Sequence, residues 1–543
     1  MDRAPRDSSG RFRGLSGALL VFALLLSVAV PSLAQETTGA IRGTVTDPTG
    51  AAVPGASVEA ASPALVRAQT TTTDEIGRYT FPALPPGVYT ISVTATGFRV
   101  IRQSDIVLQV GRLLTIDTKL EVGQVTESVL VTSSGALIDV AASSSSTNVN
   151  VSFFDALPKS RSFDALIELA PGARREPKQG GFQIDGASGS ENVYVIDGVE
   201  VTDLQTGVLP TSSRIPMEFV NELQIKSSGF EAQYGGATGG VVNTVIRSGA
   251  NSFHGQASLY YETDNWNAGP RPSLRIDPID DNFANYFHNT RDELRFLNPG
   301  GSVSGPIAKD KLWFFASYFP AHWKYNREVT FLVDGSTRPY EQNIRQDWLT
   351  GKLDFAPFSK LRAYASYVYS PYKVNGLLPT QQGTDTPDSP WADRGSRRPG
   401  STWAGGADFT ATSKLIFSVR GGHNYRNYKD YGIPRGTRYR YANSNANLPP
   451  DLPVPPQYVG PAGNFTADNR QTTMDIQTRW NLSADVTYLA TFAGQHDFKF
   501  GYQTNRLHNE ANAGTWPDGY IFMYWNRTRT GITVPGTMRG TYG

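Results

Sequence analysis

The sequence predicts a mainly β chain in three parts: an N-terminal β-sandwich, a small α/β domain, and an incomplete antiparallel transmembrane β-barrel. Three observations predict it. All nine Trp and 47 of the 61 aromatic residues lie after residue 250, so the two parts of the chain follow different compositional rules. After that point apolar and polar residues alternate with period two, in one case over fifteen residues. Tight turns also alternate there with long connections, an asymmetry typical of membrane barrels that a large soluble sandwich would not explain.

At 543 residues the chain has room for several cores. Its net charge of +1 gives no electrostatic case for nucleic acid. Without cysteine it has neither a disulfide framework nor a Cys-ligated metal. At the N-terminus Arg3, Arg6, Arg11 and Arg13 precede the apolar run 18–30, and the small residues Ser32 and Ala34 follow. The pattern reads as a secretory signal peptide over residues 1–34. Its 13 residues fall short of the roughly 20 that a spanning helix needs. No other run approaches that length, so any membrane entry must be by strands.

Residues 35–122 contain the short strand-like runs AIRGTVTD, ASVEAAS, GRYTFPAL and GVYTISVTA, separated by turns such as DPTG and LPPG. One β-sandwich is expected. Residues 123–249 mix signals. SRSFDALIELAPG sets Phe163, Leu166, Ile167 and Ala170 at helical spacing behind Ser162 in the N-cap position, whereas NVYVIDGVEV and VNELQIKSS read as strands. The stretch YGGATGGVVNTVIRSG then brings Gly235, Gly236, Gly239 and Gly240 directly before β-branched residues. Such glycines permit close backbone approach and φ values that a Cβ would penalise.

Residues 250–543 carry the long alternation. In MDIQTRWNLSADVTY, Met474, Ile476, Thr478, Trp480, Leu482, Ala484, Val486 and Tyr488 share one face, opposite Asp475, Gln477, Arg479, Asn481, Ser483, Asp485 and Thr487. HDFKFGYQ and KLRAYASYVY repeat the pattern. Tight turns are expected at 308–311, 357–360, 411–414 and 493–496, and long connections at 263–298, 371–400 and 425–470. KLWFFASYF is apolar on both faces, so part of it is expected to pack against something inside the barrel.

Two motif sets carry a family resemblance. G-x-V-T-D-P-x-G from Gly43, P-G-A-x-V from Pro54, D-x-x-G-x-Y-x-F from Asp74 and L-P-P-G-x-Y from Leu84 resemble the carboxypeptidase regulatory-like domain. The helix ending in L-x-P-G, the strand Y-V-I-D-G-V with Asp197 and Gly198, and the terminal Y-G-x-A-x-G-G-V-x-N with Tyr234, Gly235, Gly239, Gly240 and Asn243 resemble the plug of TonB-dependent outer-membrane receptors, of the Oar-like kind. The resemblance implies a regulatory-like domain at 35–122, a plug at 123–249 inside the barrel, and the N-terminal part of that barrel at 250–543. It also implies an energy-coupling segment ahead of the plug, best placed at Glu127, Ser128, Val129, Leu130, Val131 and Thr132, where a TonB-type inner-membrane partner would add a strand. The remaining expected partners are outer-membrane lipid and an extracellular ligand whose identity the loops do not encode; no nucleic-acid partner and no cofactor are expected, and the expected location is the bacterial outer membrane.

An enzyme reading finds no support in the motifs. His254, His288, His322, His423, His496 and His508 form no H-E-x-x-H pattern, and the segment around Asp185 and Ser188 lacks the second glycine of a nucleophile elbow. Asp277, Asp280 and Asp281 lack EF-hand spacing. The expected function is TonB-dependent import of an unidentified ligand, with carbohydrate and siderophore uptake as candidate classes. A surface interaction or assembly protein of receptor architecture is the alternative, and a soluble secreted protein the third class. About ten barrel strands can be placed between 253 and 526, so the sheet is expected to stay open, with its first strand unpaired to its last, as in a C-terminally truncated chain.

Overall fold

The computed structural model describes residues 37–542 except 66–67, 124–127, 133–144, 151–161, 231–233, 235–236, 277–281, 288–289, 332–333, 384, 386, 388, 413, 434–437, 442–469, 492–494, 516–519 and 528–532. The expected signal peptide, the acidic cluster Asp277, Asp280 and Asp281, and most of the connection 425–470 lie outside the described residues.

Nine strands come first: β1 (Gly39–Thr46), β2 (Ser57–Ala61), β3 (Gln69–Thr72), β4 (Arg78–Leu84), β5 (Gly87–Thr94), β6 (Val100–Leu108), β7 (Leu113–Thr115), β8 (Thr118–Lys119) and β9 (Ser128–Thr132). One sheet runs β4-β1-β7 with β8 also on β1; the other runs β3-β2-β5-β6-β9. Alternation explains why they face each other. Ile41 and Val45 of β1, Tyr79 and Phe81 of β4, Val58 of β2, and Ile91 and Val93 of β5 all point into one core. The LPPG turn is closed by Tyr89, whose hydroxyl donates to the Pro85 carbonyl at 2.6 Å.

The next unit holds β10 (Ser145–Asn150), a 3₁₀ helix (Phe163–Leu169), β11 (Ala173–Arg175), β12 (Phe182–Ile184), β13 (Val193–Ile196), β14 (Val199–Glu200), β15 (Val220–Ser228) and β16 (Val241–Ile246). Its main sheet has the order β10-β15-β16-β13-β14. Every residue of β16 is buried, which accounts for the unbroken run VVNTVI. The helix differs from expectation. It winds as 3₁₀, and Ser162 makes no side-chain cap bond because its backbone is engaged in a β-bridge with Pro216. Pro171, two residues past the last turn, disfavours continuation at Ala170 and leaves a short segment of the kind 3₁₀ geometry tolerates.

The remaining strands are β17 (His254–Thr263), β18 (Ser273–Ile276), β19 (Ala284–Phe287), β20 (Glu293–Ala308), β21 (Leu312–Thr330), β22 (Thr337–Phe358), β23 (Leu361–Tyr369), β24 (Tyr372–Asn375), β25 (Gly395–Arg398), β26 (Gly400–Thr412), β27 (Leu415–Tyr431), β28 (Arg438–Tyr441), β29 (Arg470–Thr491), β30 (Gln495–Thr515), β31 (Tyr520–Arg527) and β32 (Thr533–Tyr542). An antiparallel meander leads from β17 through β20, β21, β22, β23, β26 and β27 to β29 and β30. All four expected tight turns coincide with junctions between consecutive strands of this sheet, although residues 413 and 492–494 lie outside the described residues. The long connections are less irregular than expected. Residues 263–298 contain the β18–β19 hairpin and the start of β20, while β24 and β25 extend the lines of β23 and β26 across the breaks at Pro371 and Pro399. The two prolines remove ladder donors and kink the strands without ending them. β17 pairs only with β20, and β30 only with β29, so among the described residues the barrel is incomplete.

The face assignment follows the alternation. Trp480, Leu482 and Tyr488 are exposed on the outside, whereas Gln477, Arg479, Asn481, Ser483 and Asp485 are buried inside. Trp403, His423 and Trp480 lie on adjacent strands as an outer row, with the His423 and Trp480 rings 4.3 Å apart. Eight residues down β29, about 26 Å before tilt at roughly 3.3 Å per residue, stands Tyr488, so aromatic residues bracket an apolar band of membrane-barrel height.

Candidate functional site

The unit formed by residues 145–246 sits inside the sheet, and its hairpin tip reaches the barrel wall. Asp197 and Gly198 are the two loop residues between β13 and β14, with φ of 45° and 83°. Positive φ at both positions is what a type I′ turn requires, and Asp-Gly is a preferred pair for it. Asp197 is thereby held at the tip. Its Oδ1 accepts the Ile246 N–H at 2.8 Å, and Lys352 on β22 approaches its Oδ2 at 3.2 Å. Lys352 also donates to the Ile246 carbonyl at 3.0 Å, and the Tyr364 hydroxyl to the Asp197 carbonyl at 3.0 Å. Both charged side chains are nearly inaccessible, 5% for Lys352 and 1% for Asp197, so neither tolerates loss of the other.

The segment that follows passes from β22 and β23 to the strands β27 and β29. Asn481 donates to the Gly198 carbonyl at 3.0 Å, Arg479 pairs with Glu200, and Arg426 lies 2.9 Å from Asp203. Gln477 accepts the Leu204 N–H at 3.1 Å and also bonds Arg426. Burial works to raise the Asp203 carboxyl, but the Arg426 charge and the Thr206 and Gln205 N–H groups outweigh it and hold the carboxyl below its usual range. This wall of β27 and β29 is therefore a polar, ion-paired contact.

The opposite contact is apolar. Phe296, Phe315, Phe319, Trp348 and Val368, on the inner faces of β20–β23, join one core with Phe163, Phe219 and Leu223. Phe219 meets Phe319 edge to face at 5.6 Å, a geometry worth about 0.5–1.5 kcal/mol beyond area burial. That is why KLWFFASYF is apolar on both faces. The inner domain thus has a largely hydrophobic seat on β20–β23, where Lys352 and Tyr364 hold the hairpin tip, and a hydrogen-bonded one on β27 and β29.

The expected site residues fall into two groups. Asp197, Gly198 and Asn243 lie together, on β16 and the adjoining hairpin. Tyr234 stacks under the Lys226 ammonium, 4.7 Å from its ring centre. Gly239 and Gly240 are tightly enclosed: a Cβ on Gly239 would come within 2.5 Å of the Asn192 side-chain oxygen, and one on Gly240 would run into Ile184. Neither has the positive φ that was the second expectation, so close approach alone explains them. Gly235 and Gly236 lie outside the described residues. Ser128, Val129, Leu130, Val131 and Thr132 are elsewhere, as β9 at the edge of the sandwich, parallel to residues 100–104. Glu127 lies outside the described residues.

Sequence reasoning missed the wall residues Lys352, Arg426 and Arg479 as a seat for the inner domain. A signal existed for the last: Gln477, Arg479 and Asn481 occupy the polar face of the fifteen-residue alternation, which in a barrel must face the lumen. No local pattern marked Lys352.

Three domain families match this chain: the carboxypeptidase regulatory-like domain at residues 40–121, the TonB-dependent receptor plug domain at 139–241, and an outer membrane β-barrel domain at 245–338. The TonB-dependent transporter Oar of Myxococcus xanthus is 34% identical over 373 residues, 63% of this chain and 34% of that protein. This chain thus spans about a third of that relative. Among solved structures, the outer membrane transporter YddB from Escherichia coli aligns with TM-score 0.48 and 13% identity over 73% of this chain and 52% of its own. The siderophore receptor PirA from Acinetobacter baumannii aligns with TM-score 0.44 and 14% identity over 66% and 47%. By its domain order and sequence, the chain joins a regulatory-like domain, a TonB-dependent receptor plug domain and an outer membrane β-barrel domain, and it is similar to the TonB-dependent transporter Oar over 63% of its length.

Proposed function

We propose that the protein imports an extracellular ligand across the outer membrane, with the plug as a gate moved by a TonB-type partner from the inner membrane. In this reading residues 1–34 direct export, 35–122 form the regulatory-like domain, 123–249 the plug and 250–543 barrel strands bathed in outer-membrane lipid. The observation that carries it is the asymmetric seat. A plug fixed by apolar packing on all sides would resist displacement, whereas ion pairs such as Asp203–Arg426 can exchange for water when the plug moves. Ligand would bind on the extracellular side, among the loops and the plug segment near Asp203.

The partner would engage residues 127–132. Ser128–Thr132 is an edge strand with one side unpaired among the described residues, as strand addition requires. Val129→Pro with Val131→Pro removes two main-chain donors from that segment. The periplasmic domain of a TonB-type protein should then be retained far more weakly by the variant than by the parent in a pull-down. Equal retention would remove this segment as the coupling site.

A further inference from the structure

Val110 stands at the tip of the turn that follows β6, yet it is 1% exposed. An apolar residue at a loop tip normally meets water; here the turn is docked against the plug through its main chain. Gly111, at φ 67°, shapes the turn. Both main-chain groups of Val110 are bound by plug side chains. Its N–H donates to Glu222 Oε1 at 3.0 Å, and its carbonyl accepts from Gln224 Nε2 at 2.6 Å and Asn148 Nδ2 at 3.2 Å. Asn148 also donates to Glu222 Oε1 at 2.6 Å, and Arg112 reaches the Ser146 carbonyl at 3.4 Å.

The two plug strands involved are neighbours. Ser146 and Asn148 lie on β10, Glu222 and Gln224 on β15, and the strands pair antiparallel with Asn148 opposite Gln224. β10 is the outer strand of the plug's main sheet and its first described element. Edge strands open at lowest cost because one ladder alone holds them. The sandwich loop adds a second tie across that one ladder.

We propose that the regulatory-like domain is a latch on the plug: the main chain of Val110 staples β10 to β15, and the staple must open before β10 can be drawn out of the sheet. The direction of the pull rests on the reading of residues 127–132 as the coupling segment; the staple itself does not. Glu222 and Gln224 are both buried in this contact, 2% and 1% exposed, which makes their amide and carboxyl groups costly to leave without Val110.

The test uses the full chain in outer membranes and two readouts. The protein has no cysteine, so Arg112→Cys with Ser146→Cys gives a unique pair for a short bis-maleimide. Cross-linking is expected in the parent background, retained in Glu222→Gln, which can still accept from Val110, and mostly lost in Glu222→Ala with Gln224→Ala. Ser57→Cys with Thr94→Cys, opposed within the sandwich, reports that the domain stays folded. Hydrogen exchange of β10 amides should run about tenfold faster in the double-alanine variant, with β13 and β16 unchanged. No cross-link in the parent while the control pair reacts would overturn the docking. Lost cross-linking with β10 exchange unchanged would overturn the latch. Indifference of the TonB pull-down to the two prolines would remove the coupling segment and leave both results standing.

Discussion

The ammonium of Lys352, on the barrel wall, stands 3.2 Å from the carboxylate of Asp197, at the tip of a plug hairpin, and both side chains are buried. A strand of the barrel and a turn of the plug therefore share one desolvated ion pair. Such a pair costs a great deal to break and little to replace, because the penalty lies in leaving one charge alone.

Lys352→Met should consequently loosen the plug by about 3–5 kcal/mol, the usual cost of orphaning a buried charge. Adding Asp197→Asn should recover much of that, since the amide oxygen can still accept the Ile246 N–H. Urea-induced release of the plug, followed by protease sensitivity of residues 145–246, measures both. Additive losses in the double variant would show that the two groups are not coupled.

Glu222 makes the contact between the regulatory-like domain and the plug pH-dependent. Burial pushes its carboxyl from an ordinary value of 4.5 up to about 7, against the opposing bonds from Asn148 and the Val110 N–H and the charge of Arg112. A carboxyl raised on docking takes up a proton as it docks. Its contribution is therefore full below about pH 4.5 and is lost as pH rises through about 7. Normalised at each pH to the control pair 57 and 94, whose thiols share the same ionisation, the cross-link between positions 112 and 146 should form better at about pH 6 than at about pH 8, with Glu222→Gln flattening the profile. A normalised yield that rises with pH would contradict the burial of this group.

Gly239→Val offers a steric test with an internal control. At Gly239 a Cβ meets the Asn192 side-chain oxygen at 2.5 Å and the Glu191 carbonyl at 3.2 Å, and Asn192 is itself bonded to the Gly240 N–H. Overpacking there should cost about 1–3 kcal/mol. At Gly351, on β22, a Cβ meets nothing within 4 Å, and Gly351→Val should stay within about 0.5 kcal/mol of the parent. Thermal melts of the two variants compare them; equal losses would mean that the crowding at Gly239 is relieved by movement.

Period-two patterns and turn residues are local, so the three-part fold and the face assignments were legible. The inward face of Arg479 follows from the sequence alone, because Trp480 and Leu482 lie on the other face. The partners of Asp197 were not legible. Lys352 is 155 residues away, and nothing in TGKLDFAP distinguishes a lysine that meets the plug from one that meets water. Val110 was equally silent, since its role lies in main-chain atoms that every residue carries. The 3₁₀ winding of residues 163–169 escaped for the opposite reason: both helix types satisfy the same apolar spacing over seven residues, and the choice is made by Pro171 and the bridge at Ser162.

The lipid face gives the last prediction. Leu482 lies mid-strand on β29 with 51% of its surface exposed on the outside, and Thr504 stands opposite it on β30. Asn481, one residue earlier, points inward to the Gly198 carbonyl, and its cross-strand partner Asn505 shares that inward face. If the outer surface is lipid, an arginine at Leu482 has no water and no counter-charge, and should cost about 2–4 kcal/mol near the middle of the bilayer. An arginine at Asn505 stays in the lumen and should cost far less. Folding yields of Leu482→Arg and Asn505→Arg in lipid vesicles, read by heat-modifiable gel mobility, separate the two. In detergent micelles the gap should narrow, because headgroups and water reach a thin belt more easily than a bilayer core. Equal yields in vesicles would mean that β29 presents neither face to hydrocarbon, and the membrane placement of the sheet would fall with it.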